Sequence, residues 1–153
     1  MAVVTKNREF SSRRAAITKG LADKLALING TGYFNTIVAE VSPRLKFWDE
    51  VEEFPAIHLN AGSERREYQG GGYKDRFLNI TVRCYVNQED AVEALDELLE
   101  DVETVLEDNS RFEYYDRRGD LKFTHQITII SIDTDEGVLD PLGVGEILIE
   151  VRY

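Results

Sequence analysis

The chain has 153 residues, enough for one domain that buries its own core without disulfides or metals. With 42% apolar and 31% charged residues, it falls among ordinary globular proteins and outside the disordered and membrane classes. The net charge of −11, with no clustered basic tract to neutralise phosphates, argues against sequence-specific nucleic-acid binding.

The charge is unevenly placed. Residues 1–86 carry thirteen basic against ten acidic side chains, whereas residues 87–153 carry five basic against nineteen acidic. Opposite-signed faces of this kind can meet between subunits. The longest apolar runs, such as Ile147-Leu148-Ile149, are far too short to span a bilayer, so no membrane association is expected. Met1 to Phe10 lacks the apolar core of a secretory signal and is expected to be a flexible segment, with residues 11–153 forming a single domain. The lone Cys84 offers no internal bridge, in keeping with assembly in a reducing compartment.

In chain order, Ser11 or Ser12 is placed to cap a first helix whose apolar positions are Ala16, Ile17, Leu21, Leu25 and Ile28. Asn29-Gly30-Thr31-Gly32 ends it. Tyr33 to Val41, rich in aromatic and β-branched residues, predicts a strand; an amphipathic stretch around Phe47-Trp48 follows Pro43, with Trp48 as a packing anchor. Ala56 to Asn60 predicts a short strand. Glu64 to Gln69 forms one arm of a hairpin turning at Gly70-Gly71-Gly72, and its other arm alternates Leu78, Ile80, Val82, Cys84 and Val86 with polar neighbours.

Asp90 is placed to cap a second helix with an apolar stripe of Ala91, Val92, Leu95, Leu98, Leu99, Val102, Val105 and Leu106. Two more strands, Leu121 to Asp133 and Val144 to Tyr153, complete the chain. In the last, Ile147, Ile149, Val151 and Tyr153 oppose Glu146, Leu148, Glu150 and Arg152. The order does not alternate as a doubly wound sheet requires. It predicts an α+β fold with a mostly antiparallel sheet and two amphipathic helices packed on one face, leaving the other face and the edges for partners.

Catalytic motifs are absent. Two histidines and one cysteine cannot build a closed zinc site within one subunit, and no Gly-x-Ser-x-Gly elbow occurs. The triple glycine leads into a strand and lacks the spacing of a phosphate-binding loop. Asp133-Thr134-Asp135-Glu136-Gly137 begins like a calcium loop but has Val144 where the closing glutamate belongs, so a solvated turn is expected. No catalytic residue, metal or cofactor is therefore assigned.

Two surfaces stand out instead. Arg65, Arg66, Lys74 and Arg76 make the hairpin locally basic and suited to an acidic partner. The second helix carries Glu93, Asp96, Glu97, Glu100, Asp101, Glu103 and Glu107 between Asp90 and Asp108, with no Lys or Arg. Carboxylates four apart repel one another with nothing on the helix to offset them. Either this is a plain solvated face, or Glu93, Glu97, Glu100, Asp101, Glu103 and Glu107 face passing DNA or a basic neighbour.

Several stretches together resemble the tail terminators of long-tailed bacteriophages. They are Tyr33-Phe34-Asn35; Phe47-Trp48-Asp49-Glu50-Val51-Glu52-Glu53-Phe54-Pro55 leading into Ala56-Ile57-His58-Leu59; Tyr85-Val86 before the acidic helix; and Thr134-Asp135-Glu136-Gly137-Val138-Leu139-Asp140-Pro141-Leu142-Gly143 before the final Val151-Arg152-Tyr153. The resemblance implies a structural virion protein and not an enzyme, without cofactor. It implies a ring, typically a hexamer, at the head-proximal end of the tail, assembled in the host cytoplasm. That ring would stop tube polymerisation, meet the tail tube protein and the head or neck connector, and let DNA pass through. The alternatives are a head-to-tail joining protein, a small-molecule-binding or catalytic domain, and an acidic DNA-mimic inhibitor. On the tail-terminator reading, the basic hairpin contacts the tube or an adjacent subunit and the acidic helix lines or flanks the channel.

Overall fold

The computed structural model describes residues 9–32, 34–45 and 48–153. Tyr33, Phe47 and the Trp48 side chain, and with them the expected packing anchor, lie outside the described residues, as does most of the expected flexible segment 1–10.

Helix α1 (Arg13–Leu25) starts where Ser12 Oγ accepts the Ala15 amide at 3.4 Å. Its buried residues Ile17, Leu21 and Leu25 recur every four positions and face the sheet, as the periodicity predicts. Strand β1 (Glu40–Ser42) is short and runs parallel to β2 (Ala56–Tyr68). The expected strand Tyr33 to Val41 is not formed over residues 34–39. There the backbone donors go elsewhere. Asn35 and Thr36 amides point at the Asp101 carboxylate, Val38 donates to Ile28, and Ala39 to Pro55. A segment whose donors are taken by a carboxylate and scattered carbonyls has none left for a ladder.

Strand β2 turns at Gly70–Gly72 into β3 (Lys74–Asn87), with Gly71 and Gly72 at φ 76° and 83°, where a side chain would be strained. Helix α2 (Ala91–Asp108) follows. A small hairpin, β4 (Glu113–Tyr115) and β5 (Leu121–Phe123), precedes β6 (Gln126–Thr134), so the single strand expected over Leu121 to Asp133 is two separate strands. Strand β7 (Leu142–Arg152) closes the chain between β3 and β6.

The five-stranded sheet has the order β1-β2-β3-β7-β6, antiparallel except for β1. Both helices pack on one face, over Leu78, Ile80, Val82 and Cys84 of β3 and Ile147, Ile149 and Val151 of β7. Each fully buried leucine in this layer, such as Leu21 or Leu98, contributes about 2 kcal/mol. The fold is therefore the α+β arrangement that the sequence pattern predicts.

Asp90 does not cap α2 with its side chain. It sits at φ 59°, and the free Ala91 amide is taken by Asp140 Oδ1 at 3.3 Å, from the loop before β7. That loop is held in the same manner. Asp135 accepts the Leu139 amide through one oxygen at 3.1 Å and the Val144 amide through the other at 3.2 Å. Its carboxylate is committed to shaping a turn.

Candidate interaction surfaces

The opposite sheet face presents Asn79, Thr81 and Arg83 beside Glu146, Leu148 and Glu150, all half-buried. One end of it is roofed by Val51 and Phe54, which pack on Ala56, Tyr85 and Val144. His58 lies under this roof, its Nε2 3.1 Å from Glu40 and its ring 5.3 Å from that of Tyr85. Cys84 is fully buried on the helical side, and burial pushes its thiol up to about 12, far from a reactive thiolate. Among the described residues no group of His, Cys, Asp and Glu is placed to hold a metal ion, and no helix is long and apolar enough to cross a membrane.

The basic hairpin is formed, but part of its charge is spent within the subunit. Arg65 pairs with Glu67 at 2.6 Å and Glu150 at 3.4 Å and lies over the Phe77 ring. Arg66 pairs with Glu64 at 3.0 Å. Lys74 lies over Tyr68, and Arg76 over the ring of Tyr153. The Arg65–Glu67 pair, exposed on both sides, contributes little stability.

Tyr153 ties the C-terminus to this hairpin. Its hydroxyl donates to Glu64, and its amide and carbonyl exchange hydrogen bonds with Arg76. Burial and then the Glu64 bond push the phenol up to about 12. Burial alone pushes the Glu64 carboxyl up, but hydrogen bonds from Tyr153 and Arg66 outweigh it and hold the group below its ordinary 4.5. The linkage has two limbs. A depressed carboxyl stabilises the fold above pH 4.5 and loses that contribution as pH falls through its folded value. A raised phenol stabilises below pH 10.0 and loses its contribution as pH rises through about 12. Tyr153→Phe removes the bond behind both, so thermal melts of the variant are expected to show shallower loss of stability in both windows. Identical pH profiles would refute the pairing.

The acidic helix is only partly a surface. Glu93, Glu97, Glu100 and Glu107 are exposed and Glu103 is half-buried. Asp101 is 1% exposed and does not belong to the set. Both of its oxygens accept the Asn35 amide, at 2.9 and 3.0 Å; Oδ2 also accepts the Thr36 amide at 2.8 Å, and Oδ1 the Asn35 side-chain amide at 3.2 Å. At the helix start, a hydrogen bond shared with Asp90, then the charges of Asp90 and Glu97, hold the Glu93 carboxyl above its ordinary value. That is the expected mark of crowded like charge.

A third surface is built by tertiary contacts. A basin of about 480 Å³ opens between the α1 N-terminus, the base of the hairpin and the β4–β5 turn, where Arg13, Arg14, Arg66, Arg76, Arg117, Arg118 and Lys122 outnumber the carboxylates Glu64, Asp116 and Asp120. The only sequence signal for it is the pair of doublets, Arg13-Arg14 and Arg117-Arg118, a hundred residues apart.

The profile of the family described as Bacteriophage Tail Tube Terminator Protein matches residues 10–153. The chain belongs to this family. The tail tube terminator protein p142 of Escherichia phage T5 is 30% identical over 149 residues, covering 92% of each chain. The protein is accordingly a structural component of a phage tail, and its residues of interest are those that meet other proteins.

Proposed function

We propose that the protein closes into a ring, a hexamer, on the last layer of the tail tube, at the head-proximal end. There it stops tube polymerisation and offers a surface to the head or neck connector, while DNA passes through the centre. This role needs neither cofactor nor catalytic group. The observation that carries it is the family match over nearly the whole chain, 10–153.

The sheet supports the ring geometry. A ring needs two different surfaces on each subunit, joined head to tail through a rotation that closes. Among the described residues this subunit has two unlike sheet edges. On one side β6 pairs with β7 alone, with Ile130 and Ile132 exposed. On the other, β1 covers β2 at Ala56 to His58, so beyond His58 the edge of β2 away from β3 carries no partner strand. An exposed edge strand with apolar side chains, as β6 has in Ile130 and Ile132, is a site of association unless covered.

In this reading the hairpin residues Arg65, Arg66, Lys74 and Arg76 meet the tube or the adjacent subunit, and Glu93, Glu97, Glu100, Glu103 and Glu107 flank the channel or a partner. The test is electron microscopy of particles from an infection in which the gene is silenced. Overlong or ragged tails that fail to join filled heads are expected. Tails of normal length with intact joints would overturn the proposal, and normal tails lacking only head attachment would replace it with a joining role. Complementation with Arg65→Glu/Arg66→Glu is expected to leave more tails uncapped; unchanged capping would remove the hairpin from the interface.

A further inference from the structure

The basin at the α1 N-terminus carries more cations than carboxylates, with Arg13, Arg14, Arg66, Arg76, Arg117, Arg118 and Lys122 against Glu64, Asp116 and Asp120. The hairpin cations Arg65 and Arg66 have carboxylates within ion-pair distance. Among the described residues, Arg13, Arg14, Arg76, Arg117, Arg118 and Lys122 have none. Arg13 instead donates to the Tyr114 hydroxyl at 2.9 Å, and Arg14 to the Gly62 carbonyl. Of the carboxylates on the basin wall, Asp116 is engaged by the Arg118 and Asp120 amides at 2.9 and 3.0 Å, which shape the β4–β5 turn. Seven cations share the concavity with three carboxylates, and the excess positive charge, in a chain of net charge −11, favours an anionic occupant.

The subunit carries a long surface of matching sign. Helix α2, about 27 Å long for its 18 residues, exposes Glu93, Asp96, Glu97, Glu100 and Glu107 with no basic residue along it. None of these carboxylates forms an ion pair within the subunit among the described residues. The basin and the helix therefore carry opposite charge, and a second copy of the chain brings the two together.

We propose that the basin of one subunit seats the acidic face of α2 of its neighbour, making this the electrostatic joint of the ring. The inference rests on the ring reading above and assigns α2 to the subunit interface instead of the channel wall. It is a heterologous contact, the kind that closes rings. Complementary charge at its rim steers assembly and sets register, and like-charge juxtaposition excludes wrong orientations.

The test uses the full chain in phage particles. A phage lacking the gene is complemented with Arg117→Glu/Arg118→Glu, with Glu97→Arg/Glu100→Arg, or with all four changes together, and tails are measured by negative-stain microscopy. All four positions are exposed, and melting curves of the purified variants are recorded to check that each folds. Each pair alone is expected to cut the number of capped, head-joined tails about tenfold, and the four together to restore it to within about twofold of the natural chain. Capping at the natural level by both single-side variants would overturn the proposal. So would loss with the basin variant alone, which would point to DNA or another anionic partner, or failure of the combined variant to restore capping. Failure of the ring reading itself shows separately, as normal tails when the gene is silenced.

Discussion

Replacing Asp101 by alanine is expected to lower the thermal midpoint by about 10 °C, although the residue sits on the most acidic helix of the chain. Its carboxylate is the shared acceptor for the Asn35 and Thr36 amides and the Asn35 side chain. Hydrogen bonds to a charged acceptor contribute about 1.5–3 kcal/mol each, and truncation orphans two backbone donors that have no ladder to join. A total loss of about 3 kcal/mol corresponds to that shift for a domain of this size. Asp101→Asn keeps one acceptor oxygen and is expected to fall between the two. The neighbouring Glu100→Ala, at an exposed position, serves as control and is expected to leave stability within about 0.5 kcal/mol. Calorimetry that shows Asp101→Ala and Glu100→Ala melting together would mean the carboxylate does not anchor the 34–39 segment.

Gly145→Val is expected to cost about 3 kcal/mol for a different reason. On β7, Gly145 faces α2, and a Cβ built there would lie 3.1 Å from Leu99 Cδ2 and 3.2 Å from Leu95 Cδ1. Valine adds two methyl groups beyond that Cβ, so α2 must move outward or its leucines leave their rotamers, the usual penalty of overpacking. The acidic face rides on this helix, so the variant is expected to lose capping as well as stability. Gly62→Ala is the control: its Cβ would meet only the Asn79 carbonyl, at an ordinary 3.6 Å. Denaturant melts with equal midpoints for the Gly145→Val variant and the natural chain would show that the helix-sheet gap is wider than it stands here.

Much of the architecture is legible in the sequence because burial imposes a period. Alternation from Leu78 to Val86 and from Ile147 to Tyr153 fixes which side of each strand faces the core, and the stripe from Ala91 to Leu106 fixes which side of α2 does, except that Val92, expected in it, is exposed. These patterns report a local geometry with a large energetic stake. The segment from Phe34 to Ala39 has strand-like composition and yet forms no strand, since its Asn35 and Thr36 donors are claimed by Asp101, sixty-six and sixty-five residues away, and others by scattered carbonyls. Composition measures local preference, and a buried carboxylate outweighs it.

The same distinction governs the surfaces. Sequence by itself determined that the charge is segregated, that the helix from Asp90 to Asp108 is purely acidic, and that the chain resembles tail terminators. Tertiary structure decided which charges are available. It buried Asp101 and gave Arg65 and Arg66 partners within the subunit. It also gathered Arg13, Arg14, Arg117 and Arg118 into one basin from opposite ends of the chain. Periodic burial is written in neighbouring residues, whereas the pairing of a charge depends on distances across the fold, which no local pattern encodes.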